Sequence, residues 1–221
     1  MSGIRKMFYK VFGIAPLKTL IFNLRYFGFK GVKFPVLVYR NIRLQRLGGK
    51  VVLNNPRFCG VKLGAPWAGL YAQSTRGGWN VEGTVCFEGE CKLATANIVS
   101  CSEGAVINFG ANFQANDGCR FISVNEISFG SNCLLSWDCT FIDSDFHSLR
   151  RCDGLISNVP RSITVGEHCW IGFGSRITKG ASLPEGCVIA SGSLVTKAFD
   201  EGGLLIGGTN KILDHDIVWE M

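Results

Sequence analysis

The chain has 221 residues, only 18% of them charged, and 28 glycines, which suits a single elongated, sheet-rich domain that turns every few residues. No run of eighteen apolar residues predicts a membrane span, and no apolar stretch with a small-residue cleavage site predicts a secretory signal. The net charge of +6 is unevenly divided: residues 1–81 hold fourteen Lys or Arg and no acid, while the remainder holds nine basic and seventeen acidic residues.

Residues 1–50 read as a basic amphipathic N-terminal segment. Within LKTLIFNLRYF, Leu17, Leu20, Ile21, Leu24 and Phe27 share one helical face, and Pro16 stands where a helix start tolerates it. Two roles fit such a helix. It can lie on an anionic membrane surface, a peripheral contact made through residues 1–46. It can also cap the open end of a repeat fold. No nucleic-acid motif accompanies the charge, so nucleic acid is not an expected partner. VKFPVLVYRNIRLQRLGG looks extended and leads into the repeats.

Residues 51–200 carry the organising pattern. From Val165 onward the inward aliphatic residue recurs every six positions: Val165, Ile171, Ile177, Leu183, Ile189, Val195. The fifth place of each of the first five groups is small: Cys169, Ser175, Ala181, Cys187, Ser193. A period of six is neither helical nor plain strand alternation. It predicts a triangular β-solenoid with three six-residue sides per coil, stacked at strand spacing. Further upstream the register is interrupted. Val81, Phe87, Leu93 and Val99 keep it; Phe109, Ala115 and Phe121 resume it after a slip near Glu103 to Ile107; Phe129, Leu135 and Phe141 follow a second slip. The slips are expected to bulge at corners, and the phenylalanines predict a wider bore in this half. Six of the ten cysteines fall on the small inner place, which argues for buried reduced thiols rather than disulfides or zinc ligands. The aromatic stretch with Trp67, Tyr71 and Trp79 is either an acceptor-binding loop or an excursion packed on a neighbour.

The pattern fails between residues 142 and 162, predicting a polar loop thrown out of the stack. His147 stands in it, with Asp143 and Asp145 just before. Of the other two histidines, His168 takes an outward place and reads as solvated, and His215 lies in the tail, residues 201–221. No spacing brings three histidines together as a metal site would need, so no metal is expected.

ITVGEHCWIG, GSLVTK and IGGTNKIL closely resemble the end of hexapeptide-repeat acyltransferases, in particular sugar and surface-polysaccharide O-acetyltransferases. The resemblance covers about residues 109–213. It implies an all-β, left-handed parallel β-helix, a homotrimer, and acetyl-coenzyme A as acyl donor. It implies that His147 is the general base, with Asp143 or Asp145 orienting its ring, and that Trp170 lines the site. It places the donor's thioester near Gly172 and Phe173, its pantetheine arm near Ser191, Gly192, Thr196 and Lys197, and its nucleotide phosphates near Lys211. The usual Gly-Asn-Pro-type turn is here Gly208-Thr209-Asn210. The function implied is O-acetylation of a carbohydrate hydroxyl on a cell-surface polysaccharide or its lipid-linked precursor, in the cytoplasm or at the inner membrane face. The alternative acceptor is a small soluble sugar, amino sugar or xenobiotic. A metal-dependent hydratase and a non-catalytic scaffold are the competing readings on the same solenoid.

Overall fold

The computed structural model describes residues 13–66, 70–72 and 74–220. Among the described residues, twenty-two short strands build a three-sided prism. Side one stacks β1 (Val36–Val38), β4 (Val61–Ala65), β7 (Cys91–Ala94), β10 (Phe113–Ala115), β13 (Leu134–Leu135), β16 (Trp170–Ile171), β19 (Val188–Ile189), β21 (Leu205–Gly207) and β22 (Lys211–Asp214). Side two stacks β2 (Ile42–Leu47), β5 (Gly77–Val81), β8 (Ile98–Cys101), β11 (Arg120–Ser123), β14 (Thr140–Ile142), β17 (Arg176–Thr178) and β20 (Leu194–Val195). Side three stacks β3 (Lys50–Leu53), β6 (Thr84–Phe87), β9 (Val106–Phe109), β12 (Glu126–Phe129), β15 (Ile163–Val165) and β18 (Ser182–Leu183). Every pairing between these strands is parallel except β21 with β22. The coil is left-handed, against the right-handed preference of ordinary parallel crossovers. Strand pairing begins at Val36, so the extended lead-in is already the first coil.

Every inward residue named from the repeat is buried, from Val81 to Val195. In the C-terminal coils successive strands pair eighteen positions apart, Trp170 with Val188 and Arg176 with Leu194. The middle coils take twenty or twenty-two, Arg120 pairing with Thr140 and with Ile98, and the first coils take more, Ile42 pairing with Gly77. The surplus residues do not all bulge. Glu103 and Gly104 stand out in a turn, but Cys101, Ile107, Ser123 and Ile127 are drawn inward and lengthen β8, β9, β11 and β12. The longer sides make room for rings. Phe87, Phe109 and Phe129 stack at 5.3 and 5.8 Å, and Phe121 stacks on Phe141 at 5.6 Å. Phe109→Ala is expected to cost about 3–5 kcal/mol, read as a fall in the denaturant midpoint, because a fully buried ring leaves a cavity the stack cannot collapse.

Coil spacing also explains a glycine column. A Cβ at Gly110 would lie 2.3 Å from the backbone of Gly130, and one at Gly130 would lie 2.5 Å from the Glu167 nitrogen. The predicted buried cysteines are buried, and all ten are free thiols.

The helix α1 (Pro16–Phe27) does cap the solenoid, but with its polar face. Asn23 accepts from Val36 N–H at 3.2 Å and donates to Val36 O at 2.7 Å. Thr19 Oγ1 accepts from Val38 N–H at 3.0 Å and donates to Val38 O. Two side chains thus replace the missing strand beside β1 and satisfy backbone groups that an open edge would leave unpaired. Buried Phe22 and Trp79 meet at 5.1 Å behind this cap, and Trp79 Nε1 donates to the Tyr26 hydroxyl at 3.1 Å. Trp79 is therefore a packing residue. Trp67 lies outside the described residues.

Candidate active site

From β10 onward the coil spacing jumps at one place among the described residues. Thr140 pairs with Arg176, thirty-six positions on, so a full coil's length is spent on the loop between β14 and β15. The loop leaves at the corner between sides two and three and returns as a small hairpin, in which Arg150 bridges Ile156 and Ser157 N–H donates to Leu149 O.

The two candidate carboxylates do different work. Asp143 is fully buried at the base of the loop. It accepts from the Ser123 hydroxyl at 2.6 Å, from Val124 N–H at 2.9 Å and from Asn125 N–H at 3.0 Å. Its oxygens face the turn between β11 and β12, so it clamps a corner. Asp145 is exposed and pairs with the Lys179 ammonium; its other partner is the Asn158 amide, at 2.8 Å. Lys179 first and then Asn158 hold the Asp145 carboxyl below its usual range. Asn158 Nδ2 also donates to His147 O at 2.7 Å, and Asn158 Oδ1 accepts from Leu149 N–H at 2.6 Å. The backbone on either side of His147 is therefore fixed, and Phe146 is held at φ 62°. Such a conformation is costly for a bulky residue and is kept only where surrounding contacts impose it. The imidazole itself is exposed and has no hydrogen-bond partner among the described residues. Neither carboxylate makes a hydrogen bond to it within this chain.

The remaining expected residues divide between the two corners of side two. Gly172, Phe173, Ser191 and Gly192 lie at its junction with side one. Gly172 N–H is already spent on Ile189 O at 2.8 Å, and a Cβ there would sit 2.5 Å from that oxygen. Phe173 N–H has no acceptor among the described residues, and its carbonyl takes Gly192 N–H at 2.7 Å. Thr196 and Lys197 lie at the other corner, beneath the loop. Asn210 engages both polar groups of Thr196, accepting from its N–H at 2.8 Å and donating to its hydroxyl at 2.7 Å. Lys197 extends over the Phe199 ring. Lys211 is exposed on β22, the edge of side one. A six-residue side spans about 20 Å at strand rise. One chain thus holds Phe173 and the loop of His147 at opposite ends of a single face.

Trp170 points out from side one, half exposed. Its Nε1 donates to Ser136 Oγ at 3.1 Å. The tail supplies a neighbour that the repeat did not announce: buried Trp219 lies 6.0 Å from Trp170 and stacks on His168 at 4.5 Å. His168 Nε2 is 3.0 Å from Trp219 O, and Trp219 Nε1 donates to His168 O at 2.7 Å. His168 is therefore not solvated as its outward place implied; it anchors the C-terminus. His215 sits apart, 3.4 Å from Glu201. Lys179 was also missed, although the period points to it: Arg161, Lys179 and Lys197 are eighteen apart and rise in one cationic column beside the loop.

No protein-family model matches the chain. A relative from Schizosaccharomyces pombe bearing the name "Putative acetyltransferase" is 33% identical over 112 residues, 49% of this chain and 52% of its own length. One of the same description from Dictyostelium discoideum is 34% identical over 50% of this chain and 58% of its own length. The chain thus spans about half the length of the curated relatives it matches. Among solved structures, the polySia-specific acetyltransferase NeuO superposes with a TM-score of 0.54 at 20% identity, covering 85% of this chain and 79% of its own. The polysialic acid O-acetyltransferase OatWY gives 0.54 at 18% identity, over 84% and 90%. In fold, the chain is a left-handed hexapeptide-repeat β-helix of the kind that these acetyltransferases carry.

Proposed function

We propose that this protein is an acetyl-coenzyme A-dependent O-acetyltransferase acting on a carbohydrate hydroxyl, with His147 as general base. The observation that carries the reading is the arm itself: a β-helix gives up one coil's length to hold an unpartnered imidazole out in solvent, on a backbone pinned by Asn158, Asp145 and Lys179. An imidazole so placed can take the proton of a sugar hydroxyl as its oxygen attacks.

The donor supplies a thioester carbonyl as electrophile. Phe173 N–H suits the negative charge that develops on the attacked carbonyl oxygen, because it is fixed in a corner and has no competing acceptor. The exposed Phe173 ring and the cations Lys179 and Lys197 border the same face, which fits a long anionic donor with an apolar stem. Because Phe173 and the His147 arm occupy opposite ends of side two, the reaction centre is completed by a neighbouring copy, as the expected homotrimer would provide. Trp170 and Trp219 then form the aromatic wall of that cleft.

The test is direct. Purified protein, acetyl-coenzyme A and a panel of oligosaccharides are mixed, and release of the free thiol is followed. Thiol release that requires the sugar is expected. Failure to release thiol with any acceptor, together with no binding of coenzyme A, would remove the transferase reading and leave the scaffold.

A further inference from the structure

We propose that the N-terminal end of the solenoid docks on an anionic phospholipid bilayer, seating a lipid phosphate in a basic groove and laying the apolar face of α1 on the acyl boundary. Three observations meet here. The first is that α1 is mounted inside out. A helix on a soluble core buries its apolar stripe. This one buries Thr19 and Asn23 against β1, with Phe22 as its one fully buried apolar side chain, and exposes Leu17 (69%), Leu20 (37%), Ile21 (45%) and Leu24 (40%). The polar face is fully employed as the strand cap, so the helix cannot rotate to hide the leucines without opening the edge of β1.

The second observation is a groove of about 920 Å³ that begins where α1 ends. Phe27, Leu53 and Phe58 line it with apolar surface, and Lys30, Lys33, Lys50 and Arg57 line it with cations. Arg57 pairs with Glu90 at 3.1 Å. The side-chain ammonium groups of Lys30, Lys33 and Lys50 make no hydrogen bond or ion pair among the described residues. Phe29 is 95% exposed and Phe58 78% exposed at this end. Cations around an apolar slot match a phosphate joined to hydrocarbon, and neither a wholly polar nor a wholly apolar partner uses both.

The third observation is the charge division. All fourteen basic residues of positions 1–81 stand without a single carboxylate in that span; Glu82 and Glu90 of the next coil pair with Arg46 and Arg57, and the cations left over give this end an excess positive charge that attracts an anionic surface over about a Debye length. The docking surface lies on the first coils, four strand spacings from the β14–β15 junction that carries the His147 arm. It is therefore an address and not a part of the reaction centre.

Sedimentation of the full chain with vesicles tests this without any turnover. The protein is expected to pellet with vesicles containing about one-third phosphatidylglycerol, to stay in solution with pure phosphatidylcholine, and to release as salt is raised. Each neutralised cation weakens such binding about fivefold, so Lys30→Gln, Lys33→Gln and Lys50→Gln together are expected to weaken it about a hundredfold. Leu17→Ser with Ile21→Ser, on the exposed face, should also release the protein while leaving its circular dichroism unchanged. Absence from the anionic pellet, equal pelleting with neutral vesicles, or retention by the triple lysine variant would each overturn the proposal. So would light scattering that shows the leucine face buried between copies, or retention on DNA in place of vesicles. Truncating residues 1–30 is the wrong test, because it would also remove the cap on β1.

Discussion

His147→Ala is expected to lower kcat for sugar acetylation by about 10²–10⁴-fold, the usual contribution of a positioned general base. Two features make this a clean measurement. The imidazole is exposed and makes no hydrogen bond among the described residues, so its removal should move the unfolding midpoint little; surface changes of this kind are usually worth under about 0.5 kcal/mol. The backbone around it is held by Asn158, not by the ring. The variant should therefore keep its arm, its fold and its affinity for the donor. Wild-type turnover in this variant would end the assignment of His147. A mixing experiment extends it. Ser191→Trp would obstruct the Phe173 corner while sparing the arm. If the reaction centre lies between copies, two inactive preparations, His147→Ala and Ser191→Trp, should regain part of the activity when unfolded and reassembled together. A site contained within one chain would regain none.

Asp143→Ala is expected to be the most damaging change in the loop, and for stability rather than chemistry. The carboxylate is fully buried and receives three donors from consecutive residues, Ser123, Val124 and Asn125. Hydrogen bonds to a charged group are worth about 1.5–3 kcal/mol each, and donors left buried without an acceptor add a desolvation cost. A loss of at least about 3 kcal/mol is expected, seen as a lower denaturant midpoint. Asp143→Asn should recover part of it, since one amide oxygen still accepts. An orienting carboxylate would behave in the opposite way: the Asn variant would keep its stability and lose most of its kcat, because the amide favours the wrong ring tautomer. Asp145→Ala separates the third role. Its side chain is exposed, so the midpoint should hold. Lys179 and Asn158 would lose their shared acceptor, and the backbone of His147 would be held less firmly. A fall in kcat with an unchanged midpoint is the expected pattern.

The repeat made the core legible residue by residue. One aliphatic or aromatic side chain in six must point into the bore, and nothing outside the coil competes for that place. For this reason even the slipped register of Phe109, Ala115 and Phe121 names buried positions correctly. The cysteines were legible for the same reason: the place beside the inward residue takes a small side chain in most coils, Phe113 being an exception in the wider half. The slips were legible as irregularities but not in form. Whether extra residues bulge outward or lengthen a strand depends on the volume of the rings packed inside, which is a property of several coils together. His168 shows the same boundary. Its outward place was right, but Trp219, fifty-one positions away, closes over it.

The sequence by itself determined the period of six, the solenoid that follows from it, the inner and outer faces, and the one loop that breaks the pattern and carries a histidine. These are local facts, because each depends on side chains a few positions apart. Only the tertiary structure decided what the polar groups are for. Stacking coils bring Asp143 to a turn eighteen to twenty positions back, place Lys179 beneath Asp145, and set the polar side of α1 against the edge of β1 so that its leucines face outward. The physical reason is that a buried polar group must find its partner wherever the fold supplies one, and in a solenoid that partner lies a whole coil away in sequence and one strand spacing away in space.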